Sequence, residues 1–184
     1  SPMSRGLGDV YKRQGRMRSP AFWYAPIGAT AIGLMPLTLV YGAAEALRRR
    51  LTKPEKPEIP VICVGNLTAG GAGKTPAVRA LADMLQGAGH QPIVLSRGFG
   101  GQNAGPIRVD PTRHVVADTG DEPLMLADDL TIYIARDRRA ALRAAVSDGA
   151  QLAIKDDGFQ NPTLAHNYNL IVVEAATGIG NALL

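Results

Sequence analysis

The stretch from Gly65 to Thr75 reads GNLTAGGAGKT and directly follows the apolar run Val61-Ile62-Cys63-Val64. A strand that feeds a glycine-rich turn ending in Gly-Lys-Thr constrains the fold more than any other feature of this chain. Such a turn points backbone N–H groups inward, where they hold phosphate oxygens. Its lysine reaches the β- and γ-phosphates, and its last hydroxyl ligates Mg²⁺. The pattern predicts that Thr68, Ala69, Gly70, Gly71, Ala72, Gly73, Lys74 and Thr75 cradle a nucleoside triphosphate. Thr68 stands where the usual pattern opens with glycine, but Gly70, Gly71 and Gly73 keep the turn free to adopt positive φ.

Downstream, apolar strands alternate with helical stretches. Strands are expected at 61–64, 92–95, 132–135, 152–154 and 170–173, and helices at 76–86, 122–129 and 138–146. A short β piece is expected at Ile107-Arg108-Val109. This alternation predicts an α/β fold of the P-loop NTPase kind: a mostly parallel sheet flanked by helices, with ligands at the carboxyl ends of the strands.

The net charge of +4 hints at nucleic-acid binding, but its location argues otherwise. Residues 1–16 hold Arg5, Lys12, Arg13 and Arg16 against Asp9, which leaves the remainder nearly balanced. That leader has no periodicity and reads as a non-native or disordered segment ahead of Met17. Cys63 is the only cysteine, which excludes an internal disulfide framework and reads as a buried structural thiol. His90, His114 and His166 have no metal-ligand spacing.

From Pro20 to Ala44 the chain carries no charged residue, and Arg48-Arg49-Arg50 follow shortly after. Its length permits a spanning helix. Pro26, Pro36 and three glycines weaken that reading, so residues 17–51 are read as an apolar, membrane-associating helical segment lying in the interface. Packing on the soluble core is the competing account. Residues 52–60 form a Pro-rich charged linker, and 61–184 are the P-loop core.

Three groups carry candidate chemistry. Asp156 and Asp157 end an apolar strand, where a P-loop needs a carboxylate for Mg²⁺; an Asp-Gly turn is the bland alternative. Asp121 and Glu122 open a helix, where they serve either as caps or as a general base and a metal ligand. Arg97 follows another strand and either faces transferred phosphate or sits on the surface beside a Gly-rich loop. Arg136, Arg138 and Arg139 read as a solvated helix start.

Taken together, GNLTAGGAGKTP, SRGFGG, GDEPLMLA, DDGFQNPTL and IVVEAATGIGNALL resemble the tetraacyldisaccharide 4′-kinases, the lipid A 4′-kinases of Gram-negative bacteria. The resemblance runs from about Met17 to Leu184, in consistent order. It implies transfer of the ATP γ-phosphate to the 4′-hydroxyl of a tetraacyldisaccharide 1-phosphate, a lipid A precursor, at the cytoplasmic face of the inner membrane. ATP and Mg²⁺ are then the cofactors, with no nucleic acid and no obligate protein partner. The catalytic set is Asp121 as base with Lys74 and Arg97, and the metal set is Thr75, Glu122, Asp156 and Asp157. The sequence departs from the family at Phe99 (usually Tyr), Asn161 (often His), Glu174 (usually Asp) and Thr177 (usually Arg). It also stops inside a motif, so an incomplete enzyme is expected.

The alternatives are a P-loop NTPase that switches on hydrolysis, or serves metallocentre assembly, and a nucleotide-binding fragment without turnover. An N-K-x-D guanine-reading motif, which a GTPase switch wants, is missing after the P-loop.

Overall fold

Strand alternation sorts the core residues into two layers. In the computed structural model, which describes residues 28–66, 73–159, 161–175 and 178, six strands form one sheet. They are β1 (Val61–Asn66), β2 (Pro92–Ser96), β3 (Ile107–Arg108), β4 (Thr131–Ile134), β5 (Leu152–Asp156) and β6 (Tyr168–Val172). Their spatial order is β3-β4-β2-β5-β1-β6, and all pairings are parallel except β3 with β4. Parallel strands are covered on both faces and therefore read as continuous apolar runs, which is how β2 and β4 appear in the sequence.

One face collects Val61, Ile93, Leu95, Tyr133 and Ala153 beneath α5 (Arg138–Ser147), which contributes Ala141, Leu142 and Ala145. The other face collects Val64, Val94, Ile132 and Ile154 beneath α2 (Lys74–Gly87), which contributes Val78 and Ala82. The residues within each strand alternate between these layers because side chains along a strand point to opposite faces. Each fully buried Val, Leu or Ile stabilises the sheet by roughly 1.5–3 kcal/mol relative to exposure.

Helix α2 starts just after Gly73, whose φ of +78° turns the chain into the first helical residue. Pro76 sits in its first turn, where the missing N–H leaves no helical hydrogen bond unmade. Two short helices, α3 (Val116–Thr119) and α4 (Asp121–Leu126), meet at Gly120. Helix α3 has no counterpart in the sequence-based expectation. Asp118 closes it by accepting the Val115 N–H at 3.0 Å.

The apolar N-terminal stretch forms α1 (Ala29–Leu51), a continuous helix despite Pro36. Ile32, Leu37, Leu39, Val40 and Tyr41 on this helix are exposed. Among the described residues no helix is long and apolar enough to cross a membrane. Arg49 at the end of α1 donates to the Phe159 carbonyl at 3.1 Å. The following segment, expected as a linker, runs beside residues 163–165: Glu55 exchanges backbone hydrogen bonds with Thr163 and Ala165, and its carboxylate takes Arg143 at 2.7 Å. The leader at residues 1–16 lies outside the described residues.

Candidate active site

Because β1, β2, β4 and β5 are parallel, their carboxyl ends open on the same edge of the sheet. The turn after β1 leads to Lys74 and Thr75, the end of β2 to Arg97, the end of β4 to Arg136 and Arg138, and β5 ends in Asp156. Strand β5 lies beside β1, with Val64 in register with Asp156, so the acidic strand end adjoins the P-loop strand. Residues 67–72, which include the expected cradle positions Thr68, Ala69, Gly70, Gly71 and Ala72, lie outside the described residues.

The reactive groups meet in pairs. Lys74 Nζ lies 2.9 Å from Asp157 Oδ1. The Thr75 hydroxyl donates to Glu122 Oε1. Asp156 is 5% exposed, and its Oδ1 has no hydrogen-bond partner. Burial, reinforced by the charges of Glu122 and Asp157, pushes the Asp156 carboxyl up to about 6 against the opposing pull of Lys74 and Arg138.

A cavity of about 540 Å³ opens over these groups, lined by Arg97, Phe99, Glu122, Arg138, Asp156 and Asp157, with Arg48 and Arg136 also reaching it. A second cavity of about 570 Å³ lies near the amino end of β4, lined by Arg108, Asp110, His114 and Asp129 among others. The smaller one is the candidate site, because it alone of the two contains the carboxylates at the strand ends that meet Lys74 and Thr75.

Expected site residues divide accordingly. Lys74, Thr75, Glu122, Asp156, Asp157 and Arg97 come together. Asp121 is exposed at the first position of α4, where its carboxylate accepts the Glu122 N–H at 2.9 Å, and it is not among the cavity-lining residues. Phe99 is brought close to this corner by Gly120, whose φ is +89° and where an added Cβ would stand 2.2 Å from the Phe99 carbonyl. Only glycine permits that approach.

The reading of Arg138 as part of a solvated helix start is corrected. Arg138 is 4% exposed, donates to the carbonyls of Ala135 (3.1 Å) and Asp156 (3.2 Å), and keeps a buried Nε without a partner. Burial lowers it to about 10. Arg139 beside it does stay at the surface, clamped on Asp137 at 2.9 Å, which holds that carboxyl below its usual range. The sequence signal for Arg138 was its place one turn past the end of β4, a strand whose last three residues are all buried. Cys63 is buried, as expected.

The donor set suits a hard divalent cation such as Mg²⁺: carboxylates, a hydroxyl and one buried carboxylate oxygen with no partner. Among the described residues no three His, Cys, Asp or Glu converge into a ready-made metal cage. That agrees with the usual behaviour of Mg²⁺, which takes one or two carboxylates and completes its shell with water and phosphate.

The model of one family, tetraacyldisaccharide-1-P 4′-kinase (LpxK), matches residues 30–184. The chain belongs to this family. A tetraacyldisaccharide 4′-kinase of Parvibaculum lavamentivorans is 51% identical over 91% of this chain and 50% of its own length. One from Dinoroseobacter shibae is 52% identical over 90% of this chain and 50% of its own length. The fold is similar to the crystal structure of the "apo" form of LpxK from Aquifex aeolicus in complex with ATP, at 30% identity and a TM-score of 0.68, covering 77% of this chain and 48% of that one. The chain thus spans about half the length of the LpxK proteins it matches. The mixed α/β fold with a mostly parallel sheet is the fold of LpxK.

Proposed function

We propose that this chain is the P-loop portion of a kinase that moves the γ-phosphate of ATP to the 4′-hydroxyl of a tetraacyldisaccharide 1-phosphate. The observation that carries this reading is the meeting of Lys74 and Thr75 with Asp157 and Glu122 across one cavity rimmed by arginines. Family membership and a relative solved with ATP support the choice of nucleotide and acceptor.

In this reading Gly73, Lys74 and Thr75, with the preceding turn from Thr68 to Ala72, bind the triphosphate. Thr75 and the acids Glu122, Asp156 and Asp157 are the residues that would hold Mg²⁺, one or two of the carboxylates directly and the rest through water, and the metal when bound would supply positive charge to the β- and γ-phosphate oxygens. Arg97 and Arg138 face the charge that develops on the transferred group. Asp121 accepts the proton from the 4′-hydroxyl as its oxygen bonds to the γ-phosphorus and the bond to the β-bridging oxygen breaks. ADP leaves. Asp121, exposed and adjacent to the cavity-lining Glu122, suits a base that meets an acceptor arriving from outside the cavity.

Helix α1 lies on the cytoplasmic face of the inner membrane. Its exposed Leu37, Leu39, Val40 and Tyr41 supply the apolar surface, and Arg48, Arg49 and Arg50 supply positive charge near anionic headgroups. An acceptor whose acyl chains stay in the bilayer then presents only its sugar to the site. Nucleic acid and an obligate protein partner play no part in this reading.

The test is a chimera in which this chain replaces the matching half of the Parvibaculum relative. It is given ATP labelled at the γ-phosphate and a tetraacyldisaccharide 1-phosphate in detergent micelles. Label on the lipid is the expected result. A folded chimera that binds ATP but labels no lipid overturns the kinase reading, and lipid-independent hydrolysis points instead to a switch NTPase.

A further inference from the structure

Lys155 sits inside the sheet. Its side chain is fully buried, and its Nζ donates to the backbone carbonyls of Asn161 at 2.9 Å and Leu164 at 3.0 Å. Burying an ammonium is costly, and an apolar side chain of similar volume often serves stability as well or better. Its effect therefore lies in what the ammonium holds.

What it holds is the loop leaving β5. Lys155 and Asp156 are adjacent on the strand and so point to opposite faces, the lysine toward the Leu164 layer and the carboxylate toward the site. After Asp157 the chain folds back over the lysine stem. A Cβ added at Gly158 would stand 2.6 Å from Cys63 Sγ and 2.7 Å from Lys155 Cδ and Cε, so backbone and stem are in direct contact. Asp157, at the start of the fold-back, has a φ of +50°, and it is the one non-glycine residue with positive φ among the described residues. L side chains adopt that conformation only when their surroundings dictate it. From it, Asp157 reaches Lys74 at 2.9 Å.

We propose that Lys155 is a positioning residue: by drawing the Asn161 and Leu164 carbonyls inward, its ammonium ties the returning stretch of the fold-back to the strand end where Asp157 begins it, and so holds Asp157 facing Lys74. The inference rests on the reading of Asp157 as part of the metal–nucleotide site. Lys155 touches neither nucleotide nor metal; it acts through the backbone on the far side of the sheet. The loop residue that shares this anchor, Asn161, also lines the cavity.

The experiment measures ATP binding to the purified chain by calorimetry, once in EDTA and once in excess Mg²⁺. The ratio of the two Kd values is the coupling between metal and nucleotide. Removing a group that orients a metal ligand weakens the metal about 10- to 100-fold, so Lys155→Met is expected to reduce the coupling about tenfold or more. The Kd in EDTA should stay within about threefold, because the P-loop itself is untouched. Lys155→Gln keeps two donors on a shorter stem and recovers part of the loss; it also decides the matter if the Met variant does not fold. On an Asp157→Asn background, Lys155→Met should add less than about twofold, since residues acting through one contact are not additive. Full coupling in folded Lys155 variants, with coupling lost in Asp157→Asn, overturns the positioning role alone. Full coupling in Asp157→Asn overturns the reading of Asp157 and the proposal with it.

Discussion

Arg138 donates through Nη2 to the backbone carbonyl of Asp156 at 3.2 Å, so the buried cation grips the strand end and leaves the carboxylate oxygen Oδ1 without a partner. The arrangement holds the backbone in place while keeping a carboxylate oxygen available. Burial and the charges of Glu122 and Asp157 outweigh the pull of Arg138 and Lys74 on this carboxyl, so the resting site is electrostatically unfavourable, and that has measurable effects.

The first concerns pH. The folded-state value of Asp156 is raised to about 6, against about 3.9 for an unfolded aspartate. The folded protein therefore binds more protons than the unfolded chain between those values. The Asp156 contribution to stability is fully present below about pH 4 and is lost as pH rises through 6, by about 2–3 kcal/mol. In metal-free buffer, Tm should fall over that interval for the parent chain. The fall should be largely absent in Asp156→Asn, which should also melt higher at pH 8 while failing to support transfer in the chimera. An unchanged pH profile in the Asn variant rejects this account.

Arg138→Met removes both carbonyl contacts and leaves two buried acceptors unsatisfied. Hydrogen bonds to charged groups contribute about 1.5–3 kcal/mol each, offset here by the cost of burying the guanidinium. A net loss of about 2 kcal/mol in urea unfolding is expected. Arg138→Lys, which keeps the charge but not the fork, should recover only part of it.

Lys74→Ala separates stability from chemistry. Its partner Asp157 is largely exposed, and exposed pairs contribute little, so Tm should hardly move. Phosphate transfer by the chimera should drop about 10²–10³-fold, the usual cost of deleting one group that stabilises developing charge. Near-normal transfer in that variant would remove the P-loop assignment.

On α1, Leu37→Glu and Val40→Glu change side chains that are already exposed. Surface substitutions of that kind leave stability within about 0.5 kcal/mol. Sedimentation with anionic phospholipid vesicles should show binding weakened tenfold or more for the pair, since each buried apolar side chain contributes roughly 1.5–3 kcal/mol. Equal binding by parent and variant places α1 off the membrane.

Much of the strand and helix order was readable because the signal is local. An apolar run such as Pro92–Ser96 and a Gly-Lys-Thr turn announce themselves within a few residues. Lys74, Thr75 and the Asp156-Asp157 pair were legible for the same reason. What escaped depends on which face of the sheet a residue takes and on what crosses over it. Arg138 looks like one of three solvated arginines until the end of β5 is laid against it. Lys155 breaks an apolar strand and reads as a strand end, yet its carbonyl partners lie six and nine residues further along. Asp121 was named as a base from its motif, and the fold exposes it at the start of α4, outside the cavity lining.

The two-sided character of β5 carries an evolutionary cost. Adding or deleting a single residue in this strand would reverse every side chain beyond the change, turning the ammonium of Lys155 toward the phosphate edge and the acid of Asp156 into the aliphatic layer under α5. Point substitutions can reach neighbouring functional sequences from here, but length changes cannot. Surface turns such as Asp110–His114 are where an insertion or deletion should be tolerated, because the reading frame of the pleat is not at stake there.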